Sequence, residues 1–242
     1  MDLPSPLFPG LLVKRYKRFL ADVAMDDGAT VTAHCANPGS MLGLAAPGAR
    51  VWLSKSNNPK RKLGWSWELV EVDMGAGAVL VGIHSSAANR IAAEALEAGK
   101  IAQLTGYQTI RSEVPYGIGS RIDFMLTSPN RPAAYVEVKN VHLSRQTGLG
   151  EFPDSVTARG TKHLGELAKV ATIGQRAVML YIIQRADNVS FRLAGDIDPA
   201  YDEAFHKAGR AGVEMLCYDC DVSMSAISLR RAVPIEANEN YT

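Results

Sequence analysis

Residues 120–143 run SRIDFMLTSPNRPAAYVEVKNVHL. Two apolar-alternating segments, 120–126 and 133–143, flank the turn-forming Ser-Pro-Asn-Arg-Pro at 128–132, which predicts a β-hairpin. Side chains alternate faces along a strand. Ile122, Phe124 and Leu126 are expected on one face, with Arg121, Asp123 and Met125 on the other. On the return strand Tyr135, Glu137, Lys139 and Val141 share a face. If Leu126 sits opposite Ala134, Asp123 sits opposite Glu137, with Cβ atoms about 5 Å apart. Two facing carboxylates repel unless a cation lies between them, and a divalent ion with oxygen ligands is the usual remedy. Lys139 projects from the same face beside that position.

An acid, a hairpin turn and then Glu-x-Lys is a spacing that resembles the PD-(D/E)xK nucleases, with Ile122 where the lead residue is proline and Asp123 retained. The resemblance implies a phosphodiesterase centre loaded with Mg²⁺ or Mn²⁺. Asp123 and Glu137 would be its ligands, with the Val138 carbonyl and Glu113 as further oxygen donors. Lys139 would orient a water or offset transition-state charge. Lys162 and His163 would meet the scissile or an adjacent phosphate. Glu-Val-Lys alone is also what a half-exposed strand looks like, so the wider chain has to decide.

A chain of 242 residues that is 47% hydrophobic and 21% charged is of ordinary globular composition. No apolar run approaches the ~20 residues that span a bilayer. The start, Met1-Asp-Leu-Pro-Ser-Pro6, lacks the basic and apolar regions of a secretory signal, so a cytoplasmic location is expected, with no membrane partner. A net charge of +1 gives no global attraction to polyanions, and nucleic-acid binding would need local basic clusters. Three cysteines argue against a disulfide framework. Cys217 and Cys220 form a CxxC inside an apparent strand, where residues three apart face opposite ways, so they are expected to be ordinary thiols.

Residues 1–84 are expected to form one domain and 85–242 a second. The first shows five strands: 11–25, 30–35, 51–55, 65–74 and 79–84. Five short strands separated by turn residues suggest an OB-like β-barrel. Its basic residues Lys14, Arg15, Lys17 and Arg18, around Tyr16, and the loop residues Lys60, Arg61 and Lys62 would serve DNA phosphates. The glycines at 75 and 77 precede another strand rather than a helix, which marks a hairpin turn and not a dinucleotide loop. A helix over 87–98 bridges to the second domain, with Glu94 as a candidate outer acid.

The second domain continues with a strand at 108–114, the opening hairpin and a polar, glycine-containing segment at 142–152, expected to be a mobile loop. A helix over 157–173 buries Leu164, Leu167, Ala168 and Ala171. Arg159, Lys162, Glu166 and Lys169 are expected on its outer face, Arg159 as a further DNA contact, with His163 on the flank. The apolar strand 176–184 is expected to be central. A helix over 201–212 begins at Asp198-Pro199, strand 213–222 and an edge strand at 226–235 follow, and the polar tail 236–242 is expected to be loose. The predicted fold is α+β or α/β: an OB-like barrel, then a restriction-endonuclease-like domain with a mixed sheet.

Several strings together resemble the sugar fermentation stimulation protein A family of bacteria and archaea. They are RYKRFLAD at 15–22, CANPGSM at 35–41, SRIDFML at 120–126, VEVKN at 136–140 and FPDSVTARGTKHL at 152–164. The resemblance spans nearly the whole chain and implies DNA binding without sequence specificity, with a regulatory link to sugar (maltose) utilisation. Ala158 stands where relatives carry glutamate, and the CxxC is outside the family's pattern. Three functions remain open on sequence: a metal-dependent nuclease, a non-catalytic DNA-binding factor on the same scaffold, and a nucleotide or sugar-phosphate module for which no motif is present.

Overall fold

A computed structural model describes residues 1–75, 77–117 and 119–236. The expected loose tail, beyond 236, lies outside the described residues. Six strands come first: β1 (Leu7–Tyr16), β2 (Leu20–Met25), β3 (Thr30–Cys35), β4 (Arg50–Lys55), β5 (Trp65–Asp73) and β6 (Ala78–Gly82). Their order is β3-β2-β1-β4-β5-β6, and β3 also pairs in parallel with β5, so the first five close into a barrel. Trp67, Leu12, Leu53 and Met41 fill its core.

The single strand expected over 11–25 is instead a hairpin. Lys17 and Arg18 adopt left-handed backbone, φ 48° and 63°, and the chain reverses so that Tyr16 lies opposite Leu20. Such positions ordinarily go to glycine or asparagine, so Lys-Arg-Phe carries no visible turn signal. The strand expected to complete the barrel, β6, extends outward from β5.

The second unit comprises α1 (Ala87–Glu97), β7 (Thr109–Tyr116), β8 (Ser120–Ser128), β9 (Arg131–Val141), β10 (Leu143–Gln146), β11 (Leu149–Phe152), α2 (Ala158–Thr172), β12 (Arg176–Ile183), β13 (Ser190–Leu193), α3 (Pro199–Arg210), β14 (Glu214–Val222) and β15 (Ile227–Ala232). The main sheet has the order β15-β14-β12-β9-β8-β7, with β9, β12 and β14 parallel and antiparallel strands at both edges. This is the expected mixed sheet. β12 is central and buried from Ala177 to Ile183, because α1 covers one face of the sheet while α2 and α3 cover the other. Thr157 caps α2 by accepting from Gly160 N–H at 3.1 Å, and Asp198 caps α3 on Tyr201 N–H at 3.1 Å. Gly160 is required where the helices meet: a Cβ there would stand 2.9 Å from the Tyr201 ring. Cys217 and Cys220 are free and pack into opposite cores.

Residues 142–152 and Glu166 depart from expectation. Residues 142–152 are not a loop but the β10–β11 hairpin, joined in parallel by β13 into a three-stranded sheet. Buried Glu151 holds it together by accepting from Arg145 and Arg192, a polar core that a loop-like composition conceals. Glu166 is buried, not on the outer face of α2.

Hydrogen bonds join the two units at several places, one of them Thr147 Oγ1 to Met74 O at 3.0 Å. The Met1 amino group binds the Glu94 carboxylate of α1 and donates to Ile227 O at 2.8 Å. Gly82 N–H donates to Gln184 O at 2.9 Å, and Gln184 Nε2 donates to His84 O at 2.8 Å. The turn after β3 docks on Asp154, whose Oδ2 accepts from Met41 N–H at 2.9 Å. Among the described residues, no helix is long and apolar enough to cross a membrane.

Candidate functional site

The hairpin of β8 and β9 has the expected register, Leu126 opposite Ala134, and its ladder continues to Phe124 opposite Val136. There it stops, one pair short of Asp123 and Glu137. The β7–β8 ladder also passes over Glu113 and Asp123, and Glu113 has a left-handed φ of 54°. Asp123 therefore lies where both ladders lapse. Its Oδ2 accepts from Val138 N–H at 2.7 Å and its Oδ1 from Asn89 Nδ2 at 2.7 Å, so the carboxylate takes the place of a ladder partner. The lapse also breaks the face alternation: Phe124 and Leu126 pack beneath α1, while Ile122 joins the core under α2.

Glu137 and Lys139 face α2, as their parity predicts. Glu137 is 2% exposed, and its Oε1 accepts from Lys139 Nζ at 2.7 Å and from His163 Nδ1. Arg159 Nε donates to His163 Nε2 at 3.3 Å, which leaves the imidazole proton on Nδ1, facing Glu137. Glu137 Oε2 is buried with no partner, and so is the Tyr116 hydroxyl. Burial pushes the Glu137 carboxyl up, but His163 and Lys139 outweigh it and hold the group below its ordinary value. Burial and the Glu137 charge instead raise Asp123, against the Val138 N–H, Lys139 and Asn89. Tyr116 is raised by burial and by the charges of Glu137, Glu166 and Asp123. Two neighbouring acids are thus driven apart in acidity.

A cavity of about 630 Å³ opens beside this pair, lined by Glu113, Arg121, Arg159, Lys162 and His163. Arg121 Nη1 donates to Glu113 O at 2.6 Å and so anchors the strained residue. The structure brings Lys162, His163 and Arg159 to one mouth beside Lys139. Glu113 lines that mouth with its side chain exposed. Glu94 is elsewhere, bound to the Met1 amino group, and Asn89 is the α1 residue that reaches Asp123. Sequence reasoning missed Asn89, Tyr116, Glu166 and Arg121. Only Arg121 left a signal, sharing strand parity with Asp123.

The basic residues of the barrel divide. Lys17 and Arg18 are exposed at the tip of the β1–β2 hairpin. Lys14 is exposed, 3.6 Å from Asp22 and 5.2 Å from the centre of the Tyr16 ring. Arg15 turns away and donates to the carbonyls of Asn37, Gly39 and Ser40 at 2.8, 2.8 and 3.2 Å, holding the turn that docks on Asp154. Lys60, Arg61 and Lys62 are exposed in the β4–β5 loop, which an Asn58 side-chain turn shapes and where Arg61 donates to Ser66 Oγ at 3.0 Å.

No three His, Cys, Asp or Glu side chains converge as a metal shell among the described residues. The donors present are nevertheless the right kind for a hard divalent ion: two carboxylates and backbone oxygen. A buried carboxylate oxygen without a partner beside an acid of raised pKa fits such an ion.

Comparison with known proteins agrees with this architecture. The family model described as the SfsA N-terminal OB domain matches residues 13–83, and that of the sugar fermentation stimulation protein RE domain matches residues 86–226. A sugar fermentation stimulation protein homolog of Roseobacter denitrificans is 54% identical over 236 residues, covering 97% of this chain and 99% of the relative. One from Rhodospirillum centenum is 54% identical over 237 residues, covering 98% and 100%. The solved structure of Pyrococcus furiosus SfsA in complex with Ca²⁺ superposes with a TM-score of 0.85 at 25% identity, covering 98% of each chain. With an OB barrel, a nuclease-like mixed-sheet domain and full-length relatives above half identity, the chain belongs to the sugar fermentation stimulation protein family.

Proposed function

We propose that the protein binds DNA without sequence specificity and cleaves its phosphodiester backbone with the help of Mg²⁺ or Mn²⁺, in the cytoplasm. Residues 1–84 and 85–242 are its two working units. The observation that carries the reading is the buried, partnerless Oε2 of Glu137 beside Asp123, with Lys139 on the same carboxylate. The Pyrococcus furiosus relative was solved with Ca²⁺, an ion of the same oxygen preference. Asp123 and Glu137 would hold the ion, with the Val138 carbonyl and Glu113 as further donors. The ion supplies Lewis-acid polarisation of the phosphodiester and a water of lowered pKa.

The remaining work falls to the protein's own groups. Lys139 holds an ammonium beside the reacting phosphate and offsets charge that grows in the transition state. His163, with its proton fixed on Nδ1, keeps Glu137 ionised. Lys162, Arg159 and Arg121 line the mouth where neighbouring phosphates would lie. Lys14, Lys17, Arg18, Lys60, Arg61 and Lys62 extend the basic track along the barrel, while Arg15 supports the track by holding its turn.

One observation favours a second reading, a non-catalytic DNA-binding regulator of sugar (maltose) metabolism. Lys139 and His163 already occupy Glu137 Oε1, and Val138 N–H and Asn89 occupy both oxygens of Asp123, so the site's carboxylates are largely satisfied by its own residues. Plasmid and oligonucleotide DNA incubated with Mg²⁺ or Mn²⁺ separates the two. Cleavage that disappears in Asp123→Ala and Lys139→Ala, while gel shifts persist, supports the nuclease. Salt-sensitive shifts with intact DNA in both metals support the regulator.

A further inference from the structure

A second cavity, of about 440 Å³, lies where the barrel meets α1, well within the roughly 300–1,000 Å³ of small-molecule sites. Strand pairing builds its barrel wall: His34 lies beside Ser66 across β3–β5, and Ser54 beside Ser66 across β4–β5. Cationic and imidazole groups converge on it from both units, namely Lys55, Arg61, His34 and His84 from the barrel and Arg90 from α1. The acids on its wall are Asp2 and Glu68, and Glu68 is occupied, accepting from Ser54 Oγ at 2.6 Å and lying 3.3 Å from His84 Nε2. Arg90 has no hydrogen bond or ion pair among the described residues.

Three further features suit a ligand that carries both an anionic group and a hydrogen-bond donor. The first turn of α1 opens onto the cavity at Ser86 and Ala87, with no side-chain cap and no acid to meet its N–H groups. Gln184, fully buried on the cavity wall, has an Oε1 with no partner, an acceptor for a ligand N–H or O–H. His34 is held below its ordinary pKa by burial and by the Arg61 and His84 charges, against only Glu68, as expected of a site short of negative charge. Ser54, Glu68 and His84 do not form a hydrolase triad, because the carboxylate sits between the hydroxyl and the imidazole.

We propose that this interdomain cleft binds a phosphomonoester on a ligand the size of a nucleotide, with Arg61, Arg90 and the first turn of α1 on the phosphate. A phosphomonoester carries about −1.5 to −2 charges at neutral pH, which suits several cations around one helix terminus. The chemistry has two sources, a free nucleotide or the 5′-phosphorylated end of a DNA strand. The inference stands apart from the nuclease reading and is tested without metal.

Isothermal titration in EDTA uses inorganic phosphate, dAMP, and one tetranucleotide with either a 5′-phosphate or a 5′-hydroxyl. The expected result is binding of phosphorylated probes, at least about tenfold weaker for the 5′-hydroxyl strand. A similar loss is expected in the double variant Arg61→Ala/Arg90→Ala, and none in Asp123→Asn. Tighter binding of dAMP than of the phosphorylated strand assigns the site to free nucleotides, and the reverse assigns it to strand ends. Both arginines are exposed, and an unchanged unfolding midpoint verifies the double variant; Arg61→Gln/Arg90→Gln replaces it if the midpoint falls. The proposal is overturned if no phosphorylated probe binds, if both tetranucleotides bind equally, if the arginine variants bind like the parent, or if Asp123→Asn abolishes binding.

Discussion

The Asp123 carboxylate accepts the Val138 N–H at 2.7 Å, across the point where the β8–β9 ladder ends. A charged side chain here does what a strand carbonyl does elsewhere in the sheet. Because burial and Glu137 raise its pKa, ionising Asp123 costs the fold stability. The sign follows directly: a carboxyl with a raised folded pKa gains relative stability as pH falls through that pKa and loses it as pH rises. Asp123→Asn keeps an oxygen for Val138 and offers Asn89 an amide to pair with after that side chain flips. The variant is therefore expected to unfold at a higher temperature than the parent at pH 7 while losing metal-dependent cleavage. Thermal unfolding and a plasmid nicking assay check the two halves, and a lower midpoint would show that the carboxylate is not held against a penalty.

Glu137 makes the opposite case. Its carboxyl is depressed because His163 and Lys139 outweigh burial, so its contribution to stability is present above the ordinary carboxylate pKa and is lost as pH falls. His163→Ala removes one donor from a group that is 2% exposed, and the expected destabilisation at pH 7 is about 1–3 kcal/mol. The difference between variant and parent should shrink as Glu137 protonates in acid. Urea unfolding at pH 7 and in acid measures both. A constant difference at every pH would assign His163 to packing alone.

The docking of the barrel on Asp154 gives a numerical expectation. Burial would raise this carboxyl, yet the pairing with His142 and the Met41 N–H bring it down to about 2, from an ordinary 3.8. Stability from this group is full above about pH 4 and is lost between about 4 and 2, an amount of order 2 kcal/mol. Asp154→Asn should therefore weaken the fold by about that much at pH 7 and by little near pH 2. Gly39→Ala should act at the same place, since a methyl there would meet the Asp154 carboxylate at 2.5 Å. Proteolysis of the variants between the two units, compared with the parent, reports the loosened docking.

How much of this was legible in residues 120–143 depends on what each residue answers to. Strand parity and the register of Leu126 with Ala134 follow from local alternation, so the hairpin and the shared face of Glu137 and Lys139 could be derived. The lapse at Asp123 could not, because it depends on Glu113 adopting a left-handed conformation on the neighbouring strand. Asn89 and Tyr116 were invisible for the same reason: each meets the acids through a tertiary approach that no periodicity encodes. Arg15 and Arg18 look alike in sequence, three residues apart, yet one is bound to three carbonyls and the other stands at a turn. Glu166 misled because helical spacing places it opposite the apolar stripe, whereas the Tyr116-Gly117 corner covers that side of α2.

The tip of the β1–β2 hairpin separates folding from binding within one variant set. Lys17 and Arg18 hold left-handed backbone that disfavours residues with a Cβ by about 1–2 kcal/mol each. If the exposed side chains meet phosphates, the conformational strain is retained for the sake of charge. Arg18→Gly should then raise stability by up to about 1 kcal/mol while weakening DNA binding. Lys17→Glu with Arg18→Glu should weaken it further and reduce the salt slope of log K by about 2, near 0.9 for each phosphate no longer neutralised. Fluorescence anisotropy with duplex DNA between about 50 and 200 mM salt measures the slope. An unchanged slope in the doubly reversed variant would remove the hairpin tip from the DNA interface and leave the β4–β5 loop and the mouth beside Lys139 as its remaining anchors.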